Sequence, residues 1–340
     1  MSSQLVLVSG TSGFVGTEVT LQFLQKGFRV RGTVRSQDKA DAWEKKHAGE
    51  FQKGQLEWSI VEDVAGKGAF DEAIKGVDIV AHTASPFHYN FTDAEKEMLI
   101  PALEGTRQIL RAAQKESSVK RVVLTSSFAA VLDFDRLQPS TTFSEKDWNP
   151  ATYDKAKGMG DNKAYVYCAS KKIAEEEAWK IAKEPETKWE LCTICPPMIF
   201  GPPKQVLKSL DSINTSSGAV WGVVDAKEVP ETSFPVWTDV RDIAKIHVLG
   251  ATEEVAKGKR YLSIAGHFDN SQICDVARKS FPDQASRIPE VEPTSGPEHF
   301  KTDSSLVEKE LGIKWITFAE SVKDTLGQIF DLEKELKGSS

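Results

Sequence analysis

The sequence is poor in the features that send a chain to membranes, nucleic acids or the oxidising exterior. No apolar run approaches the ~20 residues a membrane span needs, so no membrane partner is expected. There is no basic excess either. The 43 basic and 50 acidic residues leave a net charge of −7, with both signs scattered. That excludes the clustered basic face of a nucleic-acid-binding protein. The N-terminus, MSSQLVLVSG, lacks the basic stretch of a signal peptide, and its apolar run enters a glycine turn at once. A first strand and a cytoplasmic location are therefore expected. The four cysteines, Cys168, Cys192, Cys195 and Cys274, are expected to be reduced. Cys192 and Cys195 form a CxxC, but it lies within an apolar strand pattern and faces no second pair, so neither a redox nor a metal role follows. No internal repeat and no low-complexity segment is present.

What remains is ordinary globular material: 340 residues, 40% hydrophobic and 27% charged, enough for one large domain or two modest ones. The informative stretch is Leu5 to Gly16, LVLVSGTSGFVG. Its first half reads as a strand buried on both faces. Gly10, Gly13 and Gly16 follow at spacing three, and then a helical pattern begins with Val15, Val19 and Phe23 on one face. Strand, glycine turn and helix aim backbone N–H groups and a positive helix end at a phosphate. The loop residues Thr11, Ser12, Phe14 and Val15 belong to the same candidate cradle. The spacing is GxxGxxG, not the commoner GxGxxG.

Phe28 to Arg35 reads as the second strand of a βαβ unit. In a dinucleotide fold the end of this strand meets the adenosine ribose. No acid stands there to bond a 2′-hydroxyl. Arg35 does, with Lys39 just beyond and Asp38 between them. A guanidinium grips a 2′-phosphate bidentately, so NADP is the expected cofactor. Leu56 to Val64 is a third strand that would bring Asp63 and Val64 to the adenine edge. A helix over Gly68–Lys75 then leads to a strand over Val77–His82, which ends in small residues, Thr83, Ala84 and Ser85. Small residues there leave room for a ligand. His82 itself reads as structural.

Helical periodicity from Ala94 to Glu116 runs through Pro101 and Gly105, so packing or a kink must compensate. Lys120 to Ser127 is a buried-type strand that delivers Thr125, Ser126 and Ser127 to the crevice. The polar stretch Ser140 to Lys163 reads as a long loop and candidate lid. A helix from Ala164 to Glu184 and a strand over Trp189–Phe200 follow, the strand interrupted by Pro196 and Pro197. Regular β–α alternation then ceases. The expected fold is α/β, a Rossmann-type doubly wound parallel sheet with a smaller C-terminal substrate lobe. Residues 1–200, with 236–266 returning, would form the NADP-binding domain; 201–235 and 267–340 would form the lobe.

Tyr167 and Lys171 lie in YCASK, four residues apart and so on one helix face. A free phenol titrates at about 10, too high for proton transfer at neutral pH. A neighbouring ammonium favours the phenolate and makes general acid–base work possible. Ser127, at a strand end, is placed to hold a substrate oxygen beside the phenol. Tyr165 lacks the partner, because Ala169 stands four residues on.

These motifs together resemble the extended short-chain dehydrogenase/reductase family. SGTSGFVG carries the glycine motif in that family's own spacing, LTSS the serine and YCASK the tyrosine and lysine. Within it the chain looks like the fungal NADPH-dependent carbonyl and aldehyde reductases, methylglyoxal-reductase-like, and their plant dihydroflavonol reductase relatives. VRGTVRS, HTASPF, RVVLTSSFAAV, WNPAT, VRDIAKIH and ELGIKW spread that likeness over nearly the whole chain. The resemblance implies NADPH-dependent reduction of a small-molecule carbonyl, with Ser127, Tyr167 and Lys171 catalytic. It implies that Tyr167 donates the proton, and that Lys171 also binds the nicotinamide ribose. It puts Pro196, Pro197 and Met198 beside the nicotinamide, where Cys195 replaces a frequent Asn. By position it offers Phe87, Phe128, Leu132, Ala164 and Met198 as apolar substrate walls, in a monomer or homodimer. Two other functions fit the scaffold. An NAD-dependent nucleotide-sugar epimerase or dehydratase is disfavoured by Arg35. A non-catalytic NADP-sensing regulator is disfavoured by the intact serine, tyrosine and lysine.

Overall fold

The computed structural model describes residues 4–85, 91–292 and 298–338. In chain order the strands are β1 (Leu5–Ser9), β2 (Arg29–Val34), β3 (Leu56–Ile60), β4 (Ile79–His82), β5 (Arg121–Thr125), β6 (Thr142–Phe143), β7 (Glu190–Cys195), β8 (Met198–Phe200), β9 (Val236–Asp239), β10 (Lys259–Leu262), β11 (Gly266–His267) and β12 (Lys301–Thr302). The α-helices are α1 (Phe14–Gln25), α2 (Gln37–His47), α3 (Ile100–Lys115), α4 (Tyr153–Lys157), α5 (Lys163–Ala182), α6 (Thr215–Trp221), α7 (Val240–Thr252), α8 (Asn270–Ser280), α9 (Ser305–Leu311) and α10 (Phe318–Gly338).

Seven strands form one sheet in the order β10-β7-β5-β4-β1-β2-β3, every neighbouring pair parallel. The order reverses between β1 and β4, which opens a crevice at their C-terminal ends. Alternation along β1 decides the layering. Val6 and Val8 face one core with Val19, Leu21 and Phe23 of α1 and Ile243 and Ile246 of α7. Leu5 and Leu7 face the other, with Ile109 and Leu110 of α3 and Ala178 and Ile181 of α5. The sheet is thus buried on both faces, as an all-parallel sheet must be.

Pro196 and Pro197 do more than end a strand. The chain leaves β7, passes through them and re-enters as β8 in a separate three-stranded sheet, β11-β9-β8. That sheet sits by a third core of Phe200, Trp237, Phe268, Ile273, Val322 and Phe330, joining α8 and α10.

Four local expectations change. The helix expected over Gly68–Lys75 forms turns instead, with Gly68 at a φ of +72°. The third strand stops at Ile60. The helix through Pro101 begins as a π-helical turn, Glu95–Leu99, before α3. The wider turn accommodates the proline's missing N–H, and a Cβ on Gly105 would meet Val64 at 3.4 Å. The stretch Ser140 to Lys163 is no loose lid. It holds β6, which pairs with β12, and α4, and Asn149 fastens it by donating to the Leu132 carbonyl at 2.6 Å.

Candidate active site

The glycine turn is built by excluding side chains. Gly10 sits at a φ of +70° against Ala84, whose Cα is 3.0 Å from where a Cβ would stand. A Cβ on Gly16 would stand 2.2 Å from the Gly10 carbonyl oxygen. Gly13 caps α1, is exposed, and leaves the first turn without a side-chain cap or an acid. The free N–H groups there can meet an anion. Ser12 stands beside them half-buried, as do Phe14 and Val15. Thr11 does not belong to the cradle surface. It is fully buried, its hydroxyl donates to the Val8 carbonyl at 3.0 Å, and its N–H bonds to the Thr33 carbonyl. Its side chain braces the turn from behind.

Arg35 follows the last residue of β2 and is exposed; no acid among the described residues pairs with it. Arg31, by contrast, is bound to Glu57 at 2.6 Å and to two carbonyls. Ser36 caps α2 without spending its hydroxyl on the cap, and Lys39 is exposed in the first turn. An arginine, a hydroxyl not spent on the cap and a lysine therefore surround one helix start. Asp63 is exposed and uses one carboxylate oxygen to hold the Ala65 N–H at 2.9 Å; Val64 is half-buried beside it.

Three strand ends converge on the crevice. The Ser9 hydroxyl accepts the Thr83 and Ala84 N–H groups at 3.1 Å each and lies 2.8 Å from His82 Nδ1. With both acceptances made, its own proton goes to His82, which fixes Nε2 as the protonated nitrogen. Burial, and then the nearby Lys171 charge, depress the His82 pKa to about 3, so the ring stays neutral. Thr83 donates to the Ser9 carbonyl at 2.6 Å. This small network holds Ser85, whose hydroxyl accepts from Lys171 Nζ at 2.5 Å.

Lys171 Nζ also lies 5.5 Å from the centroid of the Tyr167 ring. Asn162 starts their helix by accepting the Tyr165 N–H at 3.0 Å. Tyr167 is half-buried against the cluster around Met98 and Val166. Lys171 is half-buried at the crevice, and burial lowers its pKa to about 8. Ser127 caps the 3₁₀ turn Phe128–Ala130, which packs on α5. Its oxygen accepts the Ala129 N–H at 3.1 Å, and its own proton remains to be donated.

The other predicted positions divide. The Thr125 hydroxyl is engaged with His247 at 2.7 Å. Pro196 is buried, with its carbonyl bonded to the Phe128 N–H at 2.8 Å; Pro197 and Met198 are half-buried. Ala164 is exposed at the start of α5. Phe128 and Leu132 are sealed, at 0% and 2% exposure, in a cluster with Phe143 and Phe300. They back the crevice and do not face it in this structure, because the turn after Ser127 directs them into the core. Phe87 lies outside the described residues. Cys192 and Cys195 fall in different cores, on opposite faces of β7. Among the described residues no group of three or more His, Cys, Asp or Glu could hold a metal ion, and no helix is long and apolar enough to cross a membrane. Spacing did not flag Ser9, or Glu175, one turn beyond Lys171. A serine closing β1 and a carboxylate at the next helical repeat were the available signals.

Known proteins resemble this chain in sequence and fold. A sequence profile of the 3-beta hydroxysteroid dehydrogenase/isomerase family matches residues 7–268. An uncharacterised oxidoreductase of Schizosaccharomyces pombe is 42% identical over 341 residues, 99% of this chain and 100% of the relative. The NADPH-dependent methylglyoxal reductase of Saccharomyces cerevisiae is 35% identical over 344 residues, 96% of this chain and 98% of the relative. The crystal structure of yeast methylglyoxal/isovaleraldehyde reductase Gre2 complexed with NADPH matches with a TM-score of 0.89 at 32% identity, covering 97% of this chain and 99% of that one.

Proposed function

We propose that this chain, which belongs to the 3-beta hydroxysteroid dehydrogenase/isomerase family within the extended short-chain dehydrogenase/reductases, reduces aldehydes and ketones to alcohols with NADPH. The observation that carries this reading is the placement of Lys171 between the Tyr167 ring and Ser85, at the switch-point crevice. The side-chain-free turn at Gly10, Gly13 and Gly16 fits a pyrophosphate, and Arg35, without an acidic partner among the described residues, fits a 2′-phosphate together with Ser36 and Lys39. NADPH, when bound, supplies the hydride.

The chain's residues then do the rest. Ser127 donates its proton as a hydrogen bond to the carbonyl oxygen and polarises it. Tyr167 gives that oxygen a proton as the alcohol forms. The Lys171 ammonium stabilises the negative charge left on the phenol oxygen, and it exchanges Ser85 for ribose hydroxyls. Ser12, Phe14, Val15, Asp63, Val64, Thr83, Ala84, Pro197 and Met198 complete the cofactor groove. Ala164 and Met198 are assigned to the substrate side, which suits aliphatic or aryl carbonyls. We also assign residues 1–200 and 236–266 to the cofactor domain, the remainder to a substrate lobe, and the protein to the cytoplasm as a monomer or homodimer.

The test is NADPH oxidation across a panel of aldehydes, ketones and nucleotide sugars, beside direct NADPH binding. Turnover with aldehydes or ketones is expected. Tight NADPH binding without turnover on any of them would overturn the reductase reading in favour of a sensor.

A further inference from the structure

Tyr167, Lys171 and Glu175 repeat at four-residue spacing and so share one face of α5. The Glu175 side chain is wholly inaccessible and forms an ion pair with Arg260, itself 8% exposed. The carboxylate has an unusual number of partners for a buried group. It accepts from Arg260 Nε at 2.8 Å and Nη2 at 3.0 Å, from the Ser126 hydroxyl at 2.6 Å and from the Thr193 hydroxyl at 2.7 Å. Burial pushes the Glu175 carboxyl upward, but Arg260 and the two hydroxyls outweigh it and hold the group below the usual carboxylate range. It is therefore ionised at neutral pH.

These partners come from different elements. Ser126 follows β5 and immediately precedes Ser127. Thr193 is in β7 and Arg260 in β10. Arg260 reaches further, donating to the carbonyls of Glu145 at 2.8 Å, Asp147 at 2.5 Å and Ala130 at 3.4 Å, with its guanidinium 3.7 Å from the Trp148 ring centroid. Ala130 closes the 3₁₀ turn that Ser127 caps. The pair thus grips the serine segment at both ends and binds it to the tyrosine helix.

An apolar pair of similar volume could hold these elements together equally well. It could not fix their register, because apolar contact has no direction, whereas a carboxylate held by several directed donors does. We propose that Glu175 and Arg260 are positioning residues for the reaction, setting the place of the Ser127 hydroxyl relative to the Tyr167 phenol. Neither touches the reacting atoms. The proposal rests on the reductase reading above.

Its test is Glu175→Gln, with turnover expressed per NADPH-binding site counted by stoichiometric titration. That normalisation removes any loss of folded protein. Misplacing Ser127 relative to Tyr167 acts on the chemical step, so kcat per site is expected to fall about 10–100-fold, while NADPH affinity is unchanged. Ser126→Ala and Thr193→Val each remove one bond and keep the ion pair, so they decide the matter if Glu175→Gln does not fold. Smaller falls in kcat per site support the proposal. Unchanged turnover per site in these variants, even with a lowered Tm, overturns it. A wild type inactive on every carbonyl overturns the reductase reading as well; an active wild type with equally active variants overturns this proposal alone.

Discussion

The two flanks of the crevice use side chains in opposite ways. On the β1–β2 flank the site is made by leaving them out. Gly10, Gly13 and Gly16 bring the backbone close, and a Cβ on Gly16 would collide with Gly10 at 2.2 Å. On the β5–β7–β10 flank the site is made by packing polar groups in, with Ser126, Thr193, Glu175 and Arg260 bonded to one another out of water. In the proposed function the first flank binds an anion that arrives with its own charge, so it needs only donors and space. The second, on the same proposal, must hold the Ser127 and Tyr167 hydroxyls in one geometry, and only directed bonds do that. Substitutions on the first flank should therefore be read in cofactor affinity, and those on the second in turnover.

The largest effect is expected from Tyr167→Phe, which removes the proposed proton donor and keeps the ring. Turnover should fall about 10²–10⁴-fold, with NADPH affinity nearly intact. Retained turnover would take the tyrosine out of its role. Gly16→Ala is the matching change on the opposite flank. The added methyl must displace backbone, an overpacking that costs about 1–3 kcal/mol. NADPH affinity and Tm should both drop, while kcat at saturating NADPH stays within reach of the wild type. A normal affinity for NADPH would mean that the turn does not hold the dinucleotide.

That division also explains what could be read from sequence. The glycine spacing, the YxxxK repeat and the strand ending in two serines are local patterns, and local spacing survives whatever the distant chain does. The seven-stranded parallel sheet follows from the same β–α alternation. Glu175 and Arg260 are 85 residues apart and meet only because β10 lies beside β7, which no local pattern encodes. Thr11, Phe128 and Leu132 sit in the right segments but turn inward. A place at a strand end or in a turn does not say which way a side chain points. The stretch Ser140 to Lys163 has the composition of a loop, and its anchoring by Arg260 and Asn149 comes from distant partners. α2 carries too few apolar residues to announce itself; Ala40 and Trp43 are its buried apolar contacts.

Arg35→Ala sharpens the comparison within the cofactor flank. A charge-assisted bond contributes about 1.5–3 kcal/mol, so NADPH should bind about 10–100-fold more weakly. NADH, which has no 2′-phosphate, should be little affected. Isothermal titration with both cofactors checks this. Equal losses for the two would show that Arg35 does not face the 2′ position, and the cofactor assignment would have to be rebuilt from Lys39 and Ser36.

The smallest effect, and the one that joins the two flanks, is the pH dependence of Lys171. Its pKa in the free protein is lowered to about 8 by burial. The ammonium that supports Tyr167 is therefore present below pH 8 and is lost above it. Because kcat/KM for NADPH reports the enzyme free of cofactor, it should decline as pH rises through 8, by up to about tenfold per unit. Stability should move the other way. The folded state holds this proton less tightly than the unfolded chain, whose lysine titrates at about 10.4. Between these two values the unfolded state binds more protons, so the Lys171 contribution to stability rises with pH. The wild type minus Lys171→Met difference in Tm isolates that contribution from other titrating groups. Lys171→Arg keeps its charge at every accessible pH, so its residual kcat/KM should lack the limb near 8. A limb that stays at 8 in Lys171→Arg would assign it to another group and leave the ammonium at the crevice without a part in the pH profile.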